Sequence, residues 1–448
     1  MEKLHIALAP HKHLPPEILA EVFLHCSLDG KLGVLIPSSH PLPAPWVLGH
    51  VCSRWRRIAL GEKRLWNSIY YEGNLRRHVF LLEEAFKHSG QSTLQLEASD
   101  SPSYPSFLRE VVLPQSHRIT SLLLDFSAAV TLVDFLFLPS GLFSELECVK
   151  LHVTSVQILG YHSVPQAPAT VFQRASRLRR ITVPVLDEYS PLDLALPWDQ
   201  LTYLALTPGF MKPSDSFKVL SLCPNLCECR LCPYFDPLES PTVFLPASIQ
   251  LPLLQKLVLY VVLMTNSYAD VFRPLVFPKL KQLAVVLSSP SEGYLNDLRK
   301  TIGSLSIPDL RLELHYAGKE EGGIVRLARF LPPLTSIKAY GCTLSASMMT
   351  LIGQETYFQA LTSLETRIGL HNTKGLVEMF KAHWVRAQQS NNTHTGIRSA
   401  TIEAIDVSEK DISEFSRDIA VIQKELGVVD ANITLRRQRS HPSRWWLY

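Results

Sequence analysis

Residues 118–125 read RITSLLLD and residues 145–152 read ELECVKLH. Both carry the order apolar-x-x-apolar-x-apolar: Ile119, Leu122 and Leu124 in the first, Leu146, Val149 and Leu151 in the second. The same order returns at Leu178, Ile181 and Val183, at Leu201, Leu204 and Leu206, and at Leu226, Cys229 and Leu231. Further copies start at Leu254, Leu280, Ile307, Leu334 and Leu361, and a weaker early one is QSTLQLEA at 91–98. The alternation at the end of each copy is that of a strand burying one face.

From Ile119 the copies follow at intervals of 27, 32, 23, 25, 28, 26, 27, 27 and 27 residues. That spacing lies close to the period of leucine-rich repeats, about 20 to 29 residues. Between copies lie apolar stretches such as VTLVDFLF (130–137), DSFKVLSLCP (215–224) and GGIVRLARFLPP (322–333), helical in character and often ending at Pro. A unit of strand, turn and helix cannot cover its own apolar faces, so stacking must. The expectation for 91–382 is an α/β, leucine-rich-repeat-like solenoid with parallel strands on its concave face. The Asn that orders the turn after the strand in such repeats is missing, which makes the solenoid irregular. In the C-terminal part, 383–398 reads as a polar surface loop and 399–448 as a cap and tail. SATIEAIDV (399–407) is its last strand, and Ser408 with Asp411 opens a helix whose Ile412, Phe415, Ile419, Ile422 and Leu426 share a face.

The N-terminal region, 13–70, reads as three short helices. HLPPEILAEVFLHC (13–26) enters through two prolines and lines up Ile18, Leu19, Val22, Phe23 and Cys26. A second helix, about 45–60, aligns Val47, Leu48, Val51, Cys52, Trp55, Ile58 and Ala59, with Arg54, Arg56 and Arg57 mostly off that face. EKRLWNSI (62–69) supplies Leu65, Trp66 and Ile69, and a linking helix occupies 71–90. So small a core calls for a partner.

LPPEILAEVFLHC, VCSRWRRIAL and RLWNSI, in this order and spacing, resemble the F-box, most closely the F-box-like families expanded in mushroom-forming (basidiomycete) fungi. HVFLLEEAFKHSG followed by STLQLEA also resembles the segment between F-box and repeats in those proteins. The resemblance implies a substrate-receptor subunit of a Skp-cullin-F-box ubiquitin ligase. A Skp-type adaptor would dock through Leu14, Pro15, Ile18, Leu19 and Phe23, with Val51 and Trp55 on the second helix. The rival reading of Ile18, Val22, Trp55 and Trp66 is internal packing. The connection from Ser27 to Ala44 is longer than in a compact F-box, and either loops out or obstructs docking.

Hydrophobic residues make up 46% of the 448 and charged ones 19%, a chain that can bury a large core. A net charge of +3 is too small to imply a polyanion, so no nucleic acid is expected as partner. Eight cysteines without dense spacing favour a reducing compartment, cytoplasmic or nuclear, and the start lacks the long apolar run of a signal peptide. The most apolar window, 121–139, carries Asp125 and Asp134 and ends on Pro139, so it reads as strand then helix and no membrane partner is expected.

The chain contains no phosphate-binding glycine loop, dinucleotide fingerprint, H-E-x-x-H or G-x-S-x-G, so neither catalysis nor a cofactor is expected. CPNLCECRLCP brings Cys223, Cys227, Cys229 and Cys232 together. Zinc sites generally pair two C-x-x-C knuckles, and Cys229 takes a repeat leucine's place, so free thiols are preferred to a metal site.

The strand residues between the repeat leucines are the expected substrate surface: Lys150 and His152, Arg180, Tyr203, Arg230, Lys256 and Tyr260, Arg311, Lys338 and Tyr340, and Arg367. Their mixed setting with Glu228, Glu313 and Glu365 suits a protein partner, and the plainer reading is a solvated strand face. The alternative to a ligase subunit is a repeat scaffold whose N-terminal helices only cap its first strand.

Overall fold

The computed structural model describes residues 14–25, 34–36, 45–72, 75–99, 107–153, 167–186, 190–233, 248–261, 275–287, 309–314, 335–344, 346–354, 358, 361–368, 373–389, 396–404, 408–428 and 430–437. The chain divides into two compact units, residues 1–201 and 202–448. In the first, β1 (Val34–Ile36), β2 (Ser68–Glu72), β3 (Leu94–Ser99), β4 (Ile119–Phe126), β5 (Cys148–Val153) and β6 (Arg180–Val183) pair in chain order, each parallel to the next. In the second, β7 (Tyr203–Met211), β8 (Glu228–Pro233), β10 (Lys256–Val261), β12 (Gln282–Leu287), β13 (Asp309–Leu314), β14 (Ser336–Thr343), β15 (Ser363–Ile368), β16 (Ser399–Ala404) and β17 (Asn432–Arg437) do the same. Two short strands, β9 (Ile249–Gln250) and β11 (Leu275–Val276), pair separately. The architecture is mixed α/β: helices at the N-terminus, then strand units repeated into parallel sheets.

The register follows the repeat. Leu96 stands opposite Leu122, Leu122 opposite Val149, and Val149 opposite Ile181. In the second unit Leu204, Cys229, Leu257 and Leu283 form one row, continued by Leu310. Between β13 and β14 the pairing slips by two residues, so that Leu312 meets Ile337. A slip of two preserves the face, because strand side chains alternate with period two. The row then resumes with Leu364, Ala400 and Ile433.

Two backbone devices recur. In several repeats the carbonyl just after the first repeat residue accepts N–H groups from the next: Glu147 O from Arg179 and Arg180 at 2.9 and 3.1 Å, Cys227 O from Gln255 and Lys256 at 2.8 and 3.1 Å, and Thr335 O from Thr362 and Ser363 at 2.9 and 3.1 Å. The first leucine itself closes a tight turn onto the residue three before it: Leu178 N to Ala175 O at 3.0 Å, Leu254 N to Leu251 O at 3.3 Å, and Leu361 N to Phe358 O at 2.9 Å. That earlier residue is buried as Phe143, Ala175, Cys223, Leu251 and Phe358, an apolar position the sequence pattern above does not include.

The longer described helices are α1 (Pro16–His25), α2 (Trp46–Val51), α3 (Ser53–Gly61), α4 (Leu75–Ser89), α5 (Ala129–Leu136), α6 (Pro213–Leu222), α7 (Ala346–Gln354), α8 (Thr373–Gln389) and α9 (Glu409–Glu425). The window 121–139 is thus strand followed by helix, and no described helix is long and apolar enough to cross a membrane. Residues 322–333 lie outside the described residues.

Two expectations are corrected at the N-terminus. The single second helix is two, because Cys52 is extended (φ −162°, ψ 169°) and its thiol accepts from Trp55 N–H at 3.4 Å, ending α2 and capping α3. The residues read as a third helix form one turn, Lys63–Leu65, and then β2, whose Ile69, Tyr70 and Tyr71 suit a strand. The Ser27–Ala44 connection contributes β1, which pairs with β2. Gly90, at φ +58°, ends α4, and the buried Arg118 gathers the exit by donating to Ser89 Oγ, Gly90 O and Ser92 O at 3.1, 2.7 and 3.0 Å.

Two more corrections fall at the C-terminus. The expected loop at 383–398 is helical through Gln389, because His383 and Trp384 are buried there. His383 Nε2 lies 3.0 Å from Phe358 O, and Trp384 Nε1 donates to Ile397 O at 3.0 Å. Burial holds the His383 imidazole below the usual histidine range. β16 is not the last strand, since β17 pairs beyond it. The Ser408–Asp411 capping box opens α9, whose Phe415, Ile419 and Ile422 are buried while Ile412 and Leu426 are half-buried.

Leu122 is buried and its neighbour Leu123 half-buried on the opposite face. Leu122→Ala is expected to destabilise the first unit by about 2–5 kcal/mol and Leu123→Ala by clearly less, read from denaturant midpoints. The reverse order contradicts the register.

Candidate functional site

The expected adaptor ridge divides into a core and a surface. Leu19 and Phe23 are each 1% exposed, and the Phe23 ring packs on Trp55 with centroids 4.8 Å apart. These two residues are therefore internal packing, a correction of the partner-facing reading. Leu14 and Trp55 are half-buried, and Pro15 is exposed. Ile18 and Val51 are 49% and 55% exposed, and Val22 and Val47, each one helical turn from one of them, are 42% and 48% exposed. The cause lies in helix phase: α1 buries Leu19, Ala20 and Phe23, which turns Ile18 and Val22 outward, and the extended Cys52 breaks the stripe that joined Val47 and Val51 to Trp55.

The framework beneath this surface is aromatic and polar. Trp66 is fully buried, donates from Nε1 to Ala59 O at 2.7 Å, and meets Trp46 edge-on at 4.9 Å. The arginines read as solvated partly serve the fold. Arg54 donates to Leu14 O, tying the entry of α1 to α3, and Arg56 Nε donates to Gly49 O at 2.7 Å. Arg64 pairs with Glu21 and Glu62 at 2.8 and 2.9 Å, pairs whose exposure leaves them little weight.

The second candidate surface is the strand face opposite the leucine row. Lys150 and Arg180 are exposed, while His152, Tyr203, Arg230 and Lys256 are half-buried. Burial, and then Lys150, push the His152 imidazole below the usual histidine range. Tyr260, Arg311, Lys338, Tyr340 and Arg367 occupy β10, β13, β14 and β15, and their side chains lie outside the described residues. In the register, Glu313, Lys338 and Glu365 stand opposite one another in turn.

This face is not uniformly solvated. Ala205, Val258 and Ala284 share it with Arg230 and are buried, as is Thr182 in the first unit. Parallel sheets are commonly covered on both sides, which the alternation of leucines alone does not reveal. Lys256 Nζ and Glu228 Oε2 lie 3.8 Å apart, a cross-strand pair in which each side chain is about a third exposed.

The four cysteines differ in burial. Cys223 and Cys229 are buried, and Cys232, three residues beyond Cys229, points to the other strand face. Cys227 is half-buried just before β8. Burial raises the Cys229 thiol well above its usual range and the Cys232 thiol to about 12. Among the described residues no group of three or more His, Cys, Asp or Glu is arranged to hold a metal.

A thiolate is the reactive form. An alkylating reagent at pH 8, read by peptide mapping, is therefore expected to modify the exposed Cys52 and the half-buried Cys148 and Cys227 well before Cys223, Cys229 and Cys232. Fast labelling of Cys229 contradicts its burial. Compared with family models and with curated proteins, the chain matches none.

Proposed function

We propose that the chain is a substrate receptor of a Skp-cullin-F-box type ubiquitin ligase: an F-box-like N-terminal module docks a Skp-type adaptor, and a leucine-rich-repeat-like solenoid holds the target protein. The receptor performs no bond chemistry. It holds a lysine-bearing target near the conjugating enzyme the ligase supplies. The observation that carries this reading is the outward turn of Pro15, Ile18, Val22, Val47 and Val51 on a module whose own core, Leu19, Phe23, Ala59 and Trp66, is already filled. Exposed aliphatic residues in pairs on neighbouring helices are what an obligate partner covers.

A second reading has its own support. β1 and β2 arise within the N-terminal region and pair in series with β3 and β4, as expected of a cap on a repeat scaffold. The two readings part at the exposed residues, which a cap does not need.

Ile18→Glu with Val51→Glu alters exposed positions only and is expected to leave the melting temperature within a few degrees of the parent. The full-length parent is expected to co-purify with a Skp-type adaptor, and the double variant to lose about tenfold or more of that capture. Equal capture by both, or no capture by the parent, rejects the ligase reading in favour of the cap.

A further inference from the structure

On the strand face of the second unit, Arg230 stands between Ala205 and Val258, with Ala284 one strand further along. Those three neighbours are buried and apolar, so none offers the guanidinium an acceptor. The nearest acid along its own strand, Glu228, lies toward Lys256 at 3.8 Å. Arg230 Nε is buried without a hydrogen-bond partner, and Arg230 takes part in no ion pair among the described residues. A guanidinium keeps its charge at any physiological pH, and a half-buried one without an anion bears a desolvation cost that native structures rarely leave standing.

We propose that Arg230 anchors a side-chain carboxylate of an acidic segment in the protein that the repeats bind. The inference rests on the receptor reading and gives the target a chemistry. A carboxylate is favoured over a phosphate by charge: a dianionic phosphate is best met by two or more cations, and Lys256, the neighbouring described cation, is already matched by Glu228. One fork-shaped cation fits one planar monoanion.

The test uses the full chain and a fluorescently labelled eight-residue peptide alternating Glu and Ala, with its Gln counterpart, read by fluorescence anisotropy. The Glu peptide is expected to bind at least about tenfold more tightly than the Gln peptide, Arg230→Gln to remove that difference, and Arg230→Lys, which keeps the charge but loses the fork, to fall between. The melting temperature of Arg230→Gln is expected to match or exceed the parent's, because an unsatisfied buried donor has been removed. Equal binding of the two peptides, an undiminished difference in Arg230→Gln, or displacement by inorganic phosphate but not by acetate at equal concentration each overturns the proposal. Capture of the Skp-type adaptor by the Arg230 variants is measured alongside. Intact capture with no peptide preference rejects the carboxylate site alone, whereas lost capture by the parent rejects the receptor reading.

Discussion

A backbone carbonyl that recurs on the residue following the first repeat position carries the architecture. By accepting N–H groups at the entry of the next strand, Thr202 O, Cys227 O, Gln255 O, Thr335 O and Thr362 O each fix where that strand begins. Once the start is fixed, parallel pairing carries the alternation along the strand, with shifts after Leu206 in β7 and Ala339 in β14, and the leucines of neighbouring units align with no side-chain recognition needed between them. Side chains then decide only which face is apolar. This explains how Cys229 and Ala400 stand in the leucine row without disturbing it, since the register lies in the main chain and the row asks only for a small or apolar occupant.

The same constraint sets what each face can do. Because adjacent strands share one register, residues chosen independently in sequence fall into rows, and a row can neutralise itself, as Glu228 does with Lys256. Where a charged residue is set between apolar neighbours, as Arg230 is, the adjacent strands supply no counter-charge. At the N-terminus the logic is that of helices. The phase of α1 puts Leu19 and Phe23 in the module's core and Ile18 and Val22 outside it, and a single extended residue, Cys52, ends α2 so that Val47 and Val51 lie off the stripe of Trp55.

Much of the strand order was legible because a period near 27 residues and a two-residue alternation are both printed in the leucines, down to the weak copy at 91–98 that became β3. The tight turn three residues earlier was legible in principle, since Phe143, Leu251 and Phe358 repeat there, but Ala175 and Cys223 blur its apolar signature. The break at Cys52 was hidden, because an i, i+4 pattern runs through it unchanged and only a side-chain cap interrupts the helix. Residues 62–72 misled for a different reason. A short apolar run has no period of its own, and the tertiary choice of a strand beside β3 overrode a weak helical preference. The buried alanines and valine around Arg230 were also unreadable, because alternation marks one face as apolar and is silent about what covers the other.

Cross-linking distinguishes register partners from residues two strands apart. Adjacent strands lie about 4.7–4.9 Å apart, and a disulfide needs Cα atoms within about 7 Å. Ser363 and Ser399 are register partners on β15 and β16, whereas Ser336 and Ser399 are two strands apart. Under mild oxidation the Ser363→Cys, Ser399→Cys protein is expected to form the engineered bond in high yield, identified by peptide mapping, and the Ser336→Cys, Ser399→Cys protein is not. Comparable yields from both, or a bond in the second only, contradict the main-chain register on which the rest of the account depends.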